Sequence, residues 1–170
     1  MATFADDPNW HERLDWTLLQ NGCLSLYLKK QIMAEDVRWL SSNSYVVRAF
    51  DCKAWTSTQV MIDAIGTALA FPETNVGLDA LSDLMADVTI PTQGGLALVL
   101  DGLDAFFRAN PTDTFHLLDI IVIRARMHLL FGRRLLALIR TDDPGVVFPP
   151  VGSTQAQWNR KEWPLSDRIA

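Results

Sequence analysis

The sequence predicts an α/β protein built on a small, mostly parallel sheet of three to four strands flanked by helices. Strand-like and helical patterns alternate along the chain in the order β-α-β-α-α-β-α-β, which is typical of parallel α/β folds. The run LALVLD, residues 96–101, is apolar on both faces, as expected for a central strand covered on both sides. The chain has 170 residues, 49% of them hydrophobic, which is enough for one core.

Three further runs are predicted to be strands. CLSLYLK, residues 23–29, alternates apolar and polar side chains like a half-buried strand. YVVRAFD, residues 45–51, is rich in β-branched and aromatic residues, and RRLLALIR, residues 133–140, is the last strand. The chain carries two cysteines, Cys23 and Cys52, which we expect to be buried, reduced thiols in a cytoplasmic protein.

The helical patterns lie between these strands. AEDVRWL, residues 34–40, has acidic residues that suit the first turn of a helix. Thr56 and Ser57 offer N-caps for an apolar stripe that ends at Pro72. A long helix follows Pro111 and is predicted to end near Gly132.

We expect three stretches within one structural unit. Residues 1–44 form an N-terminal extension, with a loose polar start over residues 1–15 and then a strand and a helix. Residues 45–142 form the central domain, and residues 143–170 form an irregular tail that packs partly on the body. No apolar run is long enough to span a membrane.

The stretch FPETNVGLDALSDLM, residues 71–85, holds the clearest functional signal. Asp79, Asp83 and Asp87 are spaced four residues apart on one predicted helix, capped by Thr74 or Asn75. On a helical projection the aspartates span about 80° on one side, opposite the leucines. Like charges at this spacing weakly oppose helix formation, which indicates that the acidic row does not serve to stabilise the helix itself. It is either an ordinary solvated face or a surface for a basic partner.

Acidic residues are also unevenly placed along the chain. The net charge is −5, and residues 71–119 hold eight acids and one base. Residues 120–140 hold five arginines and no acid, so an acidic surface patch is expected unless the fold brings the two regions together. The net charge disfavours nucleic acid or an anionic membrane as the main partner.

Catalytic and cofactor motifs are lacking. There is no phosphate-binding glycine loop, no nucleophile elbow and no zinc-like histidine spacing, so we predict no catalytic residue, no metal and no cofactor. One enzymatic alternative stays open: Asp101 and Asp104, at a strand's carboxyl end, with the turn at Asp142 and Asp143. It requires a concave pocket there.

From Tyr45 to about Asp142 the chain resembles the barstar family of ribonuclease inhibitors. The matching segments are YVVRAFD, the helix ending in ALAFPE, GLDALSDLM, LALVLDGLDAF and RRLLALIR. The most specific of them is LDALSDL, which is similar to the helix that these inhibitors insert into a nuclease active site.

The resemblance implies a binding surface and a role for its residues. Asp83 matches the aspartate that occupies the nuclease phosphate site, Asp79 is the acid one turn earlier, and Asp87 falls at the rim. The preceding loop and one helix position complete the implied surface, which comprises Glu73, Thr74, Asn75, Val76, Gly77 and Ser82. The chain departs from the family's well-studied member at Thr74 and Asn75, which replace an aromatic pair, and at Ser82, which replaces a tryptophan.

The resemblance therefore implies a proteinaceous inhibitor of a basic ribonuclease toxin, monomeric when free, that acts as an immunity protein. Two other functions remain open: an adaptor that uses the same fold for a partner other than a nuclease, and a regulatory domain that works through self-association.

Overall fold

The computed structural model describes residues 9–72 and 76–162 and has a five-stranded, all-parallel sheet in the order β2-β3-β4-β1-β5. The strands are β1 (Leu24–Tyr27), β2 (Tyr45–Asp51), β3 (Gly95–Asp101), β4 (Leu135–Arg140) and β5 (Gln157–Trp158). The helices are α1 (Leu14–Leu19), α2 (Lys30–Ser42), α3 (Thr58–Leu69), α4 (Leu78–Asp87), α5 (Leu103–Ala109) and α6 (Pro111–Leu130). The predicted fold class is confirmed, with one strand more than the predicted maximum.

Helices cover both faces of the sheet. The larger core cluster holds Met61, Leu81 and Leu117, so α3, α4 and α6 pack on one face. The smaller cluster holds Leu18 and Leu40, so α1 and α2 pack on the other face. This double cover explains why β3 is buried at every position before Asp101, as its continuous apolar run predicts.

The N-terminal extension supplies an interior strand of the sheet. β1 lies between β4 and β5, and all four of its residues are buried, so the predicted half-buried alternation is wrong. Both faces of β1 are covered: Tyr27 joins the smaller cluster and Leu26 the larger one. Residues 14–19 form α1, a helix that the sequence pattern does not predict.

A buried carboxylate fastens this extension to the central residues. Asp15, in α1, accepts hydrogen bonds from the Tyr45 hydroxyl at 2.8 Å and from Arg134 Nη1 at 3.0 Å. Burial raises the pKa of Asp15, but the hydrogen bonds from Arg13 and Tyr45 and the charges of Arg13 and Arg134 outweigh burial and hold that pKa below its usual value.

The C-terminal stretch is more regular than predicted. Residues 157–158 add β5 to the sheet by pairing with β1. Asn159 Nδ2 donates to Asp36 Oδ2 at 2.8 Å and to the Tyr27 hydroxyl at 2.9 Å, and Lys161 Nζ lies 2.6 Å from Asp36 Oδ1. The tail thus completes a buried polar network between β1 and α2.

Helix ends follow local chemistry in most places. Ser57 is the N-cap of α3, and its Oγ accepts from the Val60 amide, as predicted. Gly132 follows the end of α6 with φ of 72°, the left-handed conformation expected of a C′ glycine. α2 begins at Lys30, so Glu35 and Asp36 lie in mid-helix and not in its first turn.

Both cysteines are free and buried, as predicted. Burial raises the pKa of the Cys23 thiol to about 12. Burial and nearby aspartates also raise the pKa of Cys52. Neither thiol is therefore a reactive thiolate near neutral pH.

Candidate functional site

The acidic surface is one face of α4. Leu81 and Met85 are buried on the opposite face, within the larger core cluster. Asp79, Asp83 and Asp87 are exposed. The projection from sequence is therefore confirmed for this helix: apolar residues point to the core and the aspartates to solvent. We call these three residues the acidic row.

Tertiary contacts fix α4 at its C-terminal end. The ring of buried His128, on α6, makes a 3.0 Å hydrogen bond through Nε2 with the carbonyl of Met85. Since a carbonyl only accepts, Nε2 carries the proton. Met85 is in the last turn, where carbonyls lack partners within the helix, so His128 satisfies a group that would otherwise be buried and unpaired. His128 is thus a core histidine with a partner.

The N-terminal end of α4 lies next to the predicted binding loop. Gly77 is the N-cap, and no side chain there makes a capping bond, so the predicted cap at Thr74 or Asn75 is wrong. Val76 is half-buried against the core, while Gly77 is exposed. Glu73, Thr74 and Asn75 lie outside the described residues.

A cation that the sequence interpretation missed lies beside the central aspartate. Arg124, on α6, donates to Ser82 Oγ through Nη2 at 2.8 Å and through Nε at 3.2 Å. The same Nη2 lies 3.4 Å from Asp83 Oδ1. The side chain of Asp83 is 87% exposed, whereas that of Arg124 is 14% exposed. The fold therefore brings the arginine-rich and acid-rich regions together at this point, and Asp83 is weakly paired while still open to solvent.

A second group of carboxylates lies at the carboxyl ends of the strands. Arg140 pairs with both Asp101 and Asp142, and Lys53 also pairs with Asp142. Buried Asp104 accepts from Arg108 at 2.8 Å. We call these residues, together with Asp143, the paired cluster.

The hydrogen bonds from Lys53 and Arg140 lower the pKa of Asp142 to about 2. Arg108 Nη2 also lies 3.6 Å from Asp143, so each of these four carboxylates has a cationic partner within the fold.

The cavity that Asp101 lines does not bring the carboxylates of the enzymatic alternative together. A cavity of about 330 Å³ opens between α2 and the ends of β2 and β3, and Asp101 lines it. Asp104, Asp142 and Asp143 are not among its lining residues. Within residues 9–72 and 76–162, no three His, Cys, Asp or Glu side chains are placed to hold a metal ion. In the same ranges, no helix has the length and apolar character needed to cross a membrane.

The sequence pattern places Arg124 and His128 on a helix but does not indicate which other residues they contact. Both lie on one predicted helix with the apolar residues that pack on the sheet, but their partners Ser82 and Met85 are more than 40 positions earlier. Helical spacing says which residues share a face and not which helix that face meets. The contact between α4 and α6 is a product of the fold.

Comparison with known protein families supports the predicted resemblance. The family model described as "Barstar (barnase inhibitor)" matches residues 45–130, which run from β2 to the end of α6 and include the acidic row. A search of curated proteins returned no match. The resemblance seen in the sequence extends to about residue 142, whereas the matched range ends before β4. With half of its residues matched by this model, the chain belongs to the barstar family.

Proposed function

We propose that this protein binds a ribonuclease and blocks its active site with the acidic row on α4. The observation that carries the proposal is that Asp79, Asp83 and Asp87 are exposed along a helix whose other face is buried in the core. Family membership supports the same function, because the matched family is one of ribonuclease inhibitors.

The chemistry of the target explains why such a surface would inhibit it. A ribonuclease binds the phosphates of RNA, so its active site is a cationic cleft. Carboxylates on a rigid helix make charge-assisted hydrogen bonds to arginine and lysine, as a phosphate does. Asp83, at the centre of the row, is the residue we assign to the phosphate position. Asp79 supports it from the turn before, and Asp87 contributes at the rim.

A rigid surface increases affinity because little conformational entropy is lost on binding. Leu81 and Met85 anchor α4 to the larger core cluster, and His128 holds its last turn. We assign the segment from Glu73 to Gly77, together with Ser82, to the edge of the same surface. An exposed acidic surface also accelerates association with a cationic protein, most strongly at low salt.

The test uses the ribonuclease encoded beside the gene of this protein. Wild-type protein is expected to inhibit RNA cleavage by that enzyme and to bind it in a saturable complex. Asp83→Ala should weaken binding by about 2 kcal/mol or more, as interface hot spots do, with smaller losses for Asp79→Ala and Asp87→Ala.

The matched control is Glu35→Gln. Glu35 is half-buried on α2, on the opposite side of the sheet, and its substitution removes one negative charge, as Asp83→Ala does. We expect it to leave affinity unchanged. A loss below about 1 kcal/mol for Asp83→Ala would remove Asp83 from the centre of the site. Binding without inhibition of cleavage would favour the adaptor function instead.

A further inference from the structure

The C-terminal half of α6 and the C-cap residue that follows it carry an exposed row of large apolar side chains. Ile123 and Met127 are 44% and 43% exposed, and Leu130 and Phe131 are 83% and 73% exposed. Their spacing of four, three and one residues puts them within about 100° on one side of the helix axis. We call these four residues the apolar stripe.

The stripe contrasts with the rest of its helix. Leu117, Ile121 and Ala125 are buried on the sheet-facing side of α6. Single exposed apolar residues are common on protein surfaces, but several contiguous ones with a polar rim are typical of interaction sites. Arg124 and Arg126 form that rim, and both are held in place. Arg124 donates to Ser82, and Arg126 Nη2 donates to Thr154 Oγ1 at 2.6 Å.

The stripe is continuous with the acidic row. Arg124 Nη1 lies 3.4 Å from Met127 Sδ, while its Nη2 contacts Ser82 and Asp83. One side chain thus spans the distance from the central aspartate to the middle of the stripe. α4 and α6 pack directly against each other, so the two surfaces lie side by side on one rigid part of the molecule.

The acidic row lacks the apolar side chains that the stripe provides. The exposed face of α4 is acidic and carries no aromatic side chain. Ionic contacts at an interface mainly raise the association rate and weaken with salt, whereas apolar anchors in its centre slow dissociation. Apolar contacts beside the acidic row would therefore add a contribution to affinity that salt does not screen.

We propose that the apolar stripe is the hydrophobic half of the inhibitory surface, and that the bound ribonuclease carries an apolar patch beside its cationic cleft. This inference rests on the proposed function and extends it. The acidic row enters the cleft, and Met127, Leu130 and Phe131 cover apolar surface at its margin. The partner is thereby defined by two adjacent surfaces of different chemistry.

The test is a comparison of two classes of variant against the neighbouring ribonuclease at about 0.1 M and about 1 M salt. The double variant Met127→Gln and Leu130→Gln should raise Kd about tenfold or more, by a similar factor at both salt concentrations. Asp83→Ala should raise Kd strongly at the lower concentration and less at the higher one. Glutamine keeps helix propensity, and both positions are exposed, so thermal unfolding should be nearly unchanged.

The control is Val147→Gln, because Val147 is 69% exposed but lies in the segment after β4, outside the stripe. If Asp83→Ala weakens the complex and the stripe variant binds like wild type, this inference is overturned and the proposed function stands. If wild-type protein does not bind the ribonuclease, both fall. A sedimentation shift from dimer to monomer in the stripe variant, with unchanged affinity for the ribonuclease, would show that a second copy covers the stripe and would overturn the inference.

Discussion

The acidic row and the paired cluster hold the same kind of charge and use it differently. In the paired cluster, Arg140 joins Asp101 and Asp142, and Arg108 joins Asp104. In the acidic row, Arg124 contacts Asp83 at 3.4 Å, near the upper limit of hydrogen-bonding distance. The paired cluster satisfies its carboxylates within the fold, whereas the acidic row leaves its carboxylates available to a cation of another molecule.

This difference separates structural charge from functional charge. A carboxylate whose partners are built into the fold is already neutralised, and a cationic ligand would have to displace those partners. Exposed and weakly paired carboxylates keep their attraction for a cation from outside. The comparison therefore favours α4, and not the strand ends, as the surface that meets a basic partner.

The strongest way to break this comparison is to remove the central cation of the paired cluster. In Arg140→Ala, Asp101 and Asp142 lose their shared partner, and the side chain of Arg140 is only 11% exposed. We expect a loss of about 2 kcal/mol in the free energy of unfolding, less than for a fully buried pair.

Urea unfolding measures this loss, and the control is Arg133→Ala, at an exposed arginine just before β4. Ribonuclease affinity should not change. A stability loss below about 0.5 kcal/mol would show that the ion pairs of the cluster contribute little to the free energy of unfolding.

The pH dependence of stability sharpens the same comparison. The pKa of Asp142 is lowered to about 2 by hydrogen bonds from Lys53 and Arg140. A depressed carboxyl pKa stabilises the folded state above the unfolded pKa, and that contribution is lost as pH falls toward the folded value. The window therefore runs from about pH 4 down to about pH 2.

Because Asp142 is half-exposed, solvent screening reduces the expected effect to about 1 kcal/mol or less. Asp142→Asn should flatten this part of the curve of unfolding free energy against pH. Equal slopes for the variant and the wild type between pH 4 and pH 2 would mean that the pairing has no energetic weight in solution.

Arg124 pairs with Asp83 much as Arg140 pairs with the carboxylates of the paired cluster. Replacing Arg124 therefore tests whether this internal pairing competes with a partner. Arg124→Gln keeps a donor for Ser82 but takes the positive charge away from Asp83. We expect ribonuclease affinity to rise by about 0.5 kcal/mol at low salt, because the cation of the partner no longer competes with a resident one. The change should disappear at high salt. A drop in affinity would instead mean that Arg124 orients Asp83 for binding.

The acidic row was predictable from sequence because its cause is local. Helical periodicity places Asp79, Asp83 and Asp87 on one side whatever surrounds the helix. The same holds for β3, whose apolar run requires cover on both faces. Family resemblance then connected the helix to a function that periodicity could not supply.

The features that were missed depend on contacts distant in sequence. β5 has two residues, too few for any strand pattern, and it exists because β1 offers a free edge. The contact of Arg124 with Asp83 joins residues 41 positions apart. α4 begins at Leu78 after the N-cap Gly77, which makes no side-chain capping bond, and its position is set by core packing and by His128.

The smallest expected effect concerns the cost of the acidic row to its own helix. Asp79 is in the first turn of α4 and favours the positive end of the helix dipole, whereas Asp87 is the last residue, near the negative end, and one turn from Asp83. Asp87→Asn removes two unfavourable interactions and should raise the free energy of unfolding by a few tenths of a kcal/mol, about 0.3, at low salt. Asp79→Asn is the matched control: it removes one favourable and one unfavourable interaction, so its effect should be near zero. Thermal and urea unfolding at low and high salt measure both, and the gain should vanish when salt screens it. If Asp87→Asn is instead destabilising, then Asp87 has a structural partner in solution, and it belongs with the paired carboxylates and not with those kept for a ligand.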